Sequence, residues 1–278
     1  MTTIKMNIAR SATDLLSKPL HHILVDAGVG SRKHTLSLVH SGRVCLNGEI
    51  AKDRFLTANL SVGDVVTLDG KVVIPEDLRY LLVHKPRGVL CSMNDEHDWK
   101  KELVGQRPLL SSLIPSHISE RLGHAGRLDL DSEGLVLLTN DRRIMNLVIE
   151  PSGFCRKQYV VTVMGSPSEA DLDFLRGGPK IGGMGQLLPC RINVLEKIAP
   201  TKGERGIRSL TRLEVELKEG KNQQIRKMFS SIGNRVARLI RVAIGPLKLE
   251  SVPMLGEARE LTDEEINRLG MSCVNSNG

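Results

Sequence analysis

Apolar positions along this chain fall into short branched runs separated by glycine and charged residues, and that spacing reads as strands. Leu81 to Val83, Leu135 to Leu138, Tyr159 to Val163 and Arg212 to Leu217 are each of strand length. Between and after them, Ser168 to Arg176 and Thr262 to Leu269 place apolar residues three and four apart, which predicts amphipathic helices. Nearer the N-terminus, Leu20 to Ala27 reads as a helix, Gly28-Val29-Gly30-Ser31-Arg32 as a turn, and Lys33 to His40 as a second helix capped by Ser31. Gly42 to Gly48 follows as a strand and tight turn, and Val62 to Leu68 as a closing strand. Ile74-Pro75-Glu76-Asp77 interrupts the apolar pattern and reads as a linker. The expectation is an α+β protein with a small α/β module over 18–74 and a larger mixed-sheet domain over 75–270. Residues 1–17 and 271–278 read as flexible tails. Neither an internal repeat nor a low-complexity segment stands out, and 278 residues with 40% hydrophobic content exclude wholesale disorder.

Charge changes the picture. The chain has 39 Lys plus Arg against 32 Asp plus Glu, a net charge of +7, and a pI near 9.3. Residues 217–248 hold Lys218, Lys221, Arg226, Lys227, Arg235, Arg238, Arg241 and Lys248 against the single acid Glu219, so the remainder of the chain is neutral. Ile225, Met228, Phe229, Ile232, Val236, Leu239 and Ile240 are interleaved with these cations, the pattern of an element with one buried and one basic face. A localised basic face on a domain of this pI is the electrostatic footprint of a phosphate-bearing partner, so the expected partner is nucleic acid.

Other chemistries lack their signatures. The five cysteines (45, 91, 155, 190 and 273) are odd in number and include no C-x-x-C pair, so neither a disulfide framework nor a zinc site is indicated and a reducing compartment fits. His21 and His22 have no accompanying ligand pattern, and no Gly-rich phosphate loop occurs. No apolar run approaches the roughly 20 residues that span a bilayer. Lys5, Arg10, Ser11 and Thr13 with Asp14 as the only acid give the first 17 residues a composition shared with organelle transit peptides, but not their amphipathic pattern. The expected location is the cytoplasm, with organelle import as the alternative, and a monomer is expected.

The most informative stretch is Gly126-Arg127-Leu128-Asp129, followed at once by Leu130-Asp131-Ser132-Glu133-Gly134 and the apolar run Leu135 to Leu138. Flanking glycines permit sharp turns, so Asp129 sits in a tight loop at the mouth of a strand beside Arg127. A carboxylate so placed can stay ionised and face a cleft, as a nucleophile or general base must. The plain alternative is an Asp that caps a turn. A calcium loop is a second alternative, because Asp129, Asp131 and Glu133 with Gly134 fit the first half of an EF-hand. Its second half fails, since position nine is Leu137 and position twelve Asn140, which removes the bidentate Glu.

This stretch resembles the catalytic motif of pseudouridine synthases of the RsuA type, with Asp129 at the position of their essential aspartate. Four further segments match in order: Leu82-Val83-His84-Lys85-Pro86-Arg87-Gly88-Val89, Arg156-Lys157-Gln158-Tyr159-Val160-Val161, Glu219-Gly220-Lys221-Asn222-Gln223-Gln224-Ile225-Arg226-Lys227-Met228, and Arg238-Leu239-Ile240-Arg241-Val242-Ala243-Ile244-Gly245. One departure is Arg142, which stands where the family has Gly after Thr-Asn-Asp. Residues 18–74 resemble the S-four type of RNA-binding module, with Arg32, Lys33 and Arg43 as its matching cations.

The resemblance implies an RNA pseudouridine synthase fold with a largely antiparallel central sheet, acting without metal or redox cofactor. The implied substrate is a uridine of ribosomal RNA, with transfer RNA as an alternative and a catalytically inactive ribosome-assembly factor as the other class of function. Asp129 would attack the sugar or assist proton removal, Arg226 would be its ion-pair partner, and Tyr159 would stack on the uracil. Arg127, Lys157 and Leu239 (or Ile240 in place of Leu239) would contact the substrate. Arg32, Lys33, Arg43, Lys85, Lys221, Lys227, Arg238 and Arg241 would contact RNA.

Overall fold

The computed structural model describes residues 17–93, 107–150, 155–199 and 209–274. Residues 1–16 and 275–278, most of the two expected tails, lie outside the described residues, together with the transit-like stretch. Residues 271–274 are helical. The chain forms two compact units, Met1–Leu78 and Arg79–Gly278.

In the first unit α1 (Leu20–Asp26) and α2 (Arg32–His40) pack over a four-stranded antiparallel sheet. Ser31 caps α2 by accepting a hydrogen bond from the His34 amide at 3.3 Å. The sheet contains β1 (Val44–Leu46), β2 (Glu49–Ile50), β3 (Val66–Leu68) and β4 (Lys71–Val72), in the order β2-β1-β3-β4. Its two hairpins close at Asn47-Gly48 (φ 52° and 88°) and Asp69-Gly70 (φ 49° and 79°). Both central residues have positive φ, the geometry whose twist matches paired strands and for which Asn-Gly and Asp-Gly are the favoured pairs. Leu20, Ile23 and Leu24 of α1 meet Leu38, Val39, Val44 and Val66 in the core. The expected closing strand is shorter than its apolar run, because Leu60–Val62 forms a 3-10 turn that Gly63 ends at φ 101°.

The second unit is a nine-stranded mixed sheet. Its main strands are β5 (Tyr80–Lys85), β6 (Glu133–Thr139), β7 (Lys157–Met164), β8 (Arg191–Ile198), β9 (Leu210–Leu217), β10 (Arg235–Ile244) and β11 (Ala258–Glu260), in the order β8-β9-β7-β10-β6-β5-β11. Every neighbouring pair along this path is antiparallel except β10 with β6. The helices are α3 (Arg142–Ile149), α4 (Glu169–Arg176), α5 (Gln224–Ser231) and α6 (Asp263–Val274). On one face, Val136 and Leu138 pack with Leu172 and Leu175 of α4 and Ile225, Met228 and Phe229 of α5. On the other, Leu135 and Leu137 pack with Ile144 and Val148 of α3 and Leu269 of α6. Burial on both faces is why β6 reads as an unbroken apolar run rather than an alternating one. Arg142, the departure from the family pattern, opens α3, with Asp141 as its cap.

The basic run after residue 224 is two elements, not one. Gly233 (φ 77°) turns the chain from α5 into β10, and β-bulges at Ala237 and Val242, where the pairing with β7 shifts register, reset the strand's alternation. Among the described residues no helix is long and apolar enough to cross a membrane.

Candidate active site

Gly126 begins the Asp129 loop at φ 83°, and Gly134 ends it at φ 109°. Gly134 lies on β6 opposite Arg241 of β10 in the parallel pairing. A Cβ there would stand 2.3 Å from the Arg241 carbonyl oxygen and 2.7 Å from its nitrogen, both backbone atoms. Gly134→Ala is therefore expected to lower stability by about 3–5 kcal/mol, combining positive-φ strain with an overlap that only strand separation can relieve. Urea unfolding is the check; a shift below about 1 kcal/mol would show that the two strands have room to part.

Between these glycines the loop turns its backbone oxygens onto cations. Lys85, at the end of β5, is fully buried. Its ammonium donates to the carbonyls of Ser132 at 2.7 Å, Pro86 at 3.0 Å and Asp129 at 3.2 Å. An ammonium has three donors, so this set satisfies it. Burial pushes the Lys85 pKa down, while Cys91, Asp129, Asp131 and Glu133 oppose that shift. Arg241, also buried, donates Nε to the Leu135 carbonyl at 2.6 Å and Nη1 to the Arg127 carbonyl at 3.4 Å. Arg226 of α5 donates Nη2 to the Asp131 carbonyl at 3.3 Å and the Ser132 hydroxyl at 3.2 Å. Further bonds run from the Gly88 amide to Leu130 O at 2.8 Å and from the Leu128 amide to Cys91 Sγ at 3.3 Å.

The carboxylates of the loop have separate fates. Asp131 pairs with Arg226 Nη2 at 2.9 Å. Glu133 accepts both Nε (2.6 Å) and Nη2 (3.2 Å) of Arg238, and those bonds hold its pKa below the usual carboxylate range against the opposing effect of burial. Asp129 is different: its side chain is 19% exposed and lies 4.0 Å from the Arg127 guanidinium. Among the described residues, no group donates a hydrogen bond to the Asp129 carboxylate. With Asp131 and Glu133 paired to separate arginines, the calcium-loop alternative also lacks a common centre, and no cluster of metal-ligating side chains occurs among the described residues.

A carboxylate presented by a rigidly bonded backbone, yet itself unbonded, is suited to covalent or proton-transfer chemistry on a bound substrate. Residues 79–231 match the family model described as RNA pseudouridylate synthase. The chain belongs to that family. The chain is 32% identical over 250 residues to the ribosomal large subunit pseudouridine synthase B of Bacillus subtilis (strain 168), a match spanning 90% of this chain and 94% of the relative. It is also 32% identical over 250 residues to an uncharacterized RNA pseudouridine synthase of Aquifex aeolicus (strain VF5), spanning 90% and 92%. A crystal structure of a pseudouridylate synthase superposes with a TM-score of 0.60 at 25% identity, covering 90% of this chain and 99% of that one. The mixed, largely antiparallel sheet expected from the sequence is thus that of an RNA pseudouridine synthase.

Several side chains of this synthase sit elsewhere than expected. Arg226 forms its ion pair with Asp131, not with Asp129. Lys85 and Arg241, expected on the RNA surface, are 0% and 3% exposed, because buried loop carbonyls need donors and long cationic side chains supply them. Three more expected RNA contacts bind within the protein. Arg238 is forked onto Glu133, Arg43 onto Asp69, and Lys221 bonds the carbonyls of Met184 and Gln186 beside Glu219. Arg32 and Lys33 are exposed and Lys227 is partly so.

Tyr159 is 8% exposed and belongs to the main core cluster with Leu128, Ile225 and Leu239. It faces Arg241 across the β7–β10 ladder. Lys157 is buried on the same face of β7. Leu239 pairs with Val161, two residues from Tyr159 and on its face, whereas Ile240 pairs with Val160 and Glu133. The anchoring acids Asp131 and Glu133 were not singled out as such from the sequence; two acids flanking a serine beside a catalytic-type loop were the available signal.

Proposed function

We propose that this enzyme converts a specific uridine of ribosomal RNA to pseudouridine, with Asp129 as the catalytic carboxylate. The observation that carries the assignment of Asp129 is its isolation within a loop whose carbonyls are bonded to Lys85, Arg226 and Arg241. The relative named as a ribosomal large subunit pseudouridine synthase supports the choice of RNA.

Isomerisation breaks the bond from uracil N1 to the sugar, turns the retained base, and joins its C5 to the sugar, the proton lost from C5 being balanced by one gained at N1. Extruding the base from a stacked RNA costs a few kcal/mol, which contacts in the cleft must offset. Asp129 either attacks the sugar or takes up a proton from it. Tyr159 and Leu239 form the apolar wall against which the base rests, while Arg127 and Lys157 contact the nucleotide. Arg226 acts on Asp129 indirectly, by holding Asp131 and Ser132. A cytoplasmic monomer is the corresponding state of the protein.

Incubation with ribosomal RNA from cells lacking the gene, followed by nucleoside analysis, tests the reading; new pseudouridine at one position is expected, and none would overturn it. The module resembling the S-four type is proposed to dock RNA through Arg32 and Lys33. Deleting residues 1–78 should then weaken RNA affinity and flatten its dependence on salt, because fewer phosphate contacts release fewer counterions. An unchanged salt slope would remove RNA docking from the module.

A further inference from the structure

On the Asp131 side of the loop lies a cleft of 530 Å³, lined by Arg87, Asp131, Arg226, Asn234 and Arg235 among others. Its three guanidinium groups come from three places in the chain: the turn after β5, helix α5 and the first residue of β10. One carboxylate, Asp131, faces them, and it is already paired with Arg226 at 2.9 Å. Arg87 and Arg235 are exposed, and neither has a hydrogen-bond or ion-pair partner among the described residues, although Arg87 is near enough to Glu133, itself forked by Arg238, to help hold that carboxyl's pKa down. The buried Nε of Arg226 also lacks one. Asn234 donates its amide to the Met164 carbonyl at 2.9 Å, which fixes the turn that carries Arg235.

Three convergent guanidiniums with one paired acid form a site of net positive charge, and the planar fork of arginine fits phosphate oxygens. The cleft volume falls in the range that holds a small organic ligand rather than a lone ion. Asp131 is two residues from Asp129, so the cleft adjoins the loop that carries Asp129. We propose that Arg87 and Arg235 grip a phosphodiester of the RNA strand adjacent to the target uridine, making this cleft the place where the strand is threaded past the loop. The inference rests on the reading of the protein as an enzyme that acts on RNA at Asp129. It replaces Lys85 and Arg241, both buried, with two cations that the solvent-facing cleft presents.

The test is a binding titration of the full-length protein with a fluorescently labelled 12-nucleotide oligouridylate over a series of salt concentrations. Arg87→Ala and Arg235→Ala should each raise Kd several-fold and flatten the slope of log K against log salt by roughly 0.7 per lost contact on a single strand. Lys197→Ala, an exposed cation on the edge strand β8, should leave both unchanged. Arg87→Gln and Arg235→Gln give the same readout should an alanine variant fail to fold. On ribosomal RNA the defect should appear as a raised KM. Unchanged salt slopes in both variants would overturn the proposal, as would a fall in kcat with KM held, which would put the arginines in the chemical step. If wild-type protein formed no pseudouridine in ribosomal RNA while the oligouridylate slopes changed as expected, the proposed function would fail and the phosphate site would stand.

Discussion

Asp129→Asn should abolish pseudouridine formation, lowering the single-turnover rate by about 10⁴-fold or more, while RNA affinity stays within about twofold of wild type. Loss of a group that acts directly in bond making removes transition-state stabilisation that binding contacts cannot replace. Asparagine has the same shape, so the loop need not move. The carboxylate it replaces accepts no hydrogen bond among the described residues, and its Arg127 contact is long at 4.0 Å and solvent-facing on the arginine side. Folding should therefore be almost unaffected, since an ion pair of that kind contributes about 0–1 kcal/mol. Single-turnover kinetics alongside a binding titration separate the two effects. Residual activity within about tenfold of wild type would remove Asp129 from the chemistry and turn attention to another group on the loop.

Lys85→Met should damage both stability and rate. Methionine fills much of the lysine volume but leaves the carbonyls of Pro86, Asp129 and Ser132 without the donor that now serves them. Each buried acceptor left unpaired costs about 1–3 kcal/mol. The desolvation of the ammonium is relieved in exchange, so a net loss of about 3 kcal/mol is expected for the catalytic unit. The sign of the pH dependence follows from burial, which lowers the pKa of Lys85 in the folded protein. Between the lowered pKa and the ordinary lysine pKa the unfolded chain binds more protons, so wild-type stability rises with pH across that window, and the Met variant lacks that component. The rate should fall by more than RNA affinity, because the bond that sets the height of Asp129 is gone while the RNA surface is intact. Equal stability and rate in the variant would mean that water replaces the ammonium without cost.

The two-sided burial of β6 was readable in the unbroken run Leu135 to Leu138, and Ser31 was readable as a helix cap. The strand ends were not: β5 extends to Lys85 and β6 back to Glu133, because neighbouring strands pair those polar residues into the ladder, while loop carbonyls partner Lys85 and Arg238 partners Glu133. The run of cations after residue 224 was legible as basic and amphipathic. Its division at Gly233 into α5 and β10 was not, since apolar spacing there fits a helix face until the bulged pairing with β7 is known.

For the site, the place of Asp129 in its turn could be read locally. A carboxylate between two glycines ahead of an apolar strand depends on residues within a single turn of chain, and turn geometry is a local property. What each cation does could not be read that way. Lys85, Arg226, Arg238 and Arg241 are similar in sequence terms, yet two are buried under the loop, one bridges to Asp131 and one is forked onto Glu133. Arg87 and Arg235 instead open onto the cleft. The sequence by itself determined the α+β plan, the apolar faces and the turn that holds Asp129, because these follow from periodicity and from conformational preferences of adjacent residues. Only the tertiary structure decided which charges support the loop and which stay exposed at the cleft. That outcome depends on distances between residues 44 to 114 positions apart, and charge interactions are set by separation and burial, neither of which is encoded locally.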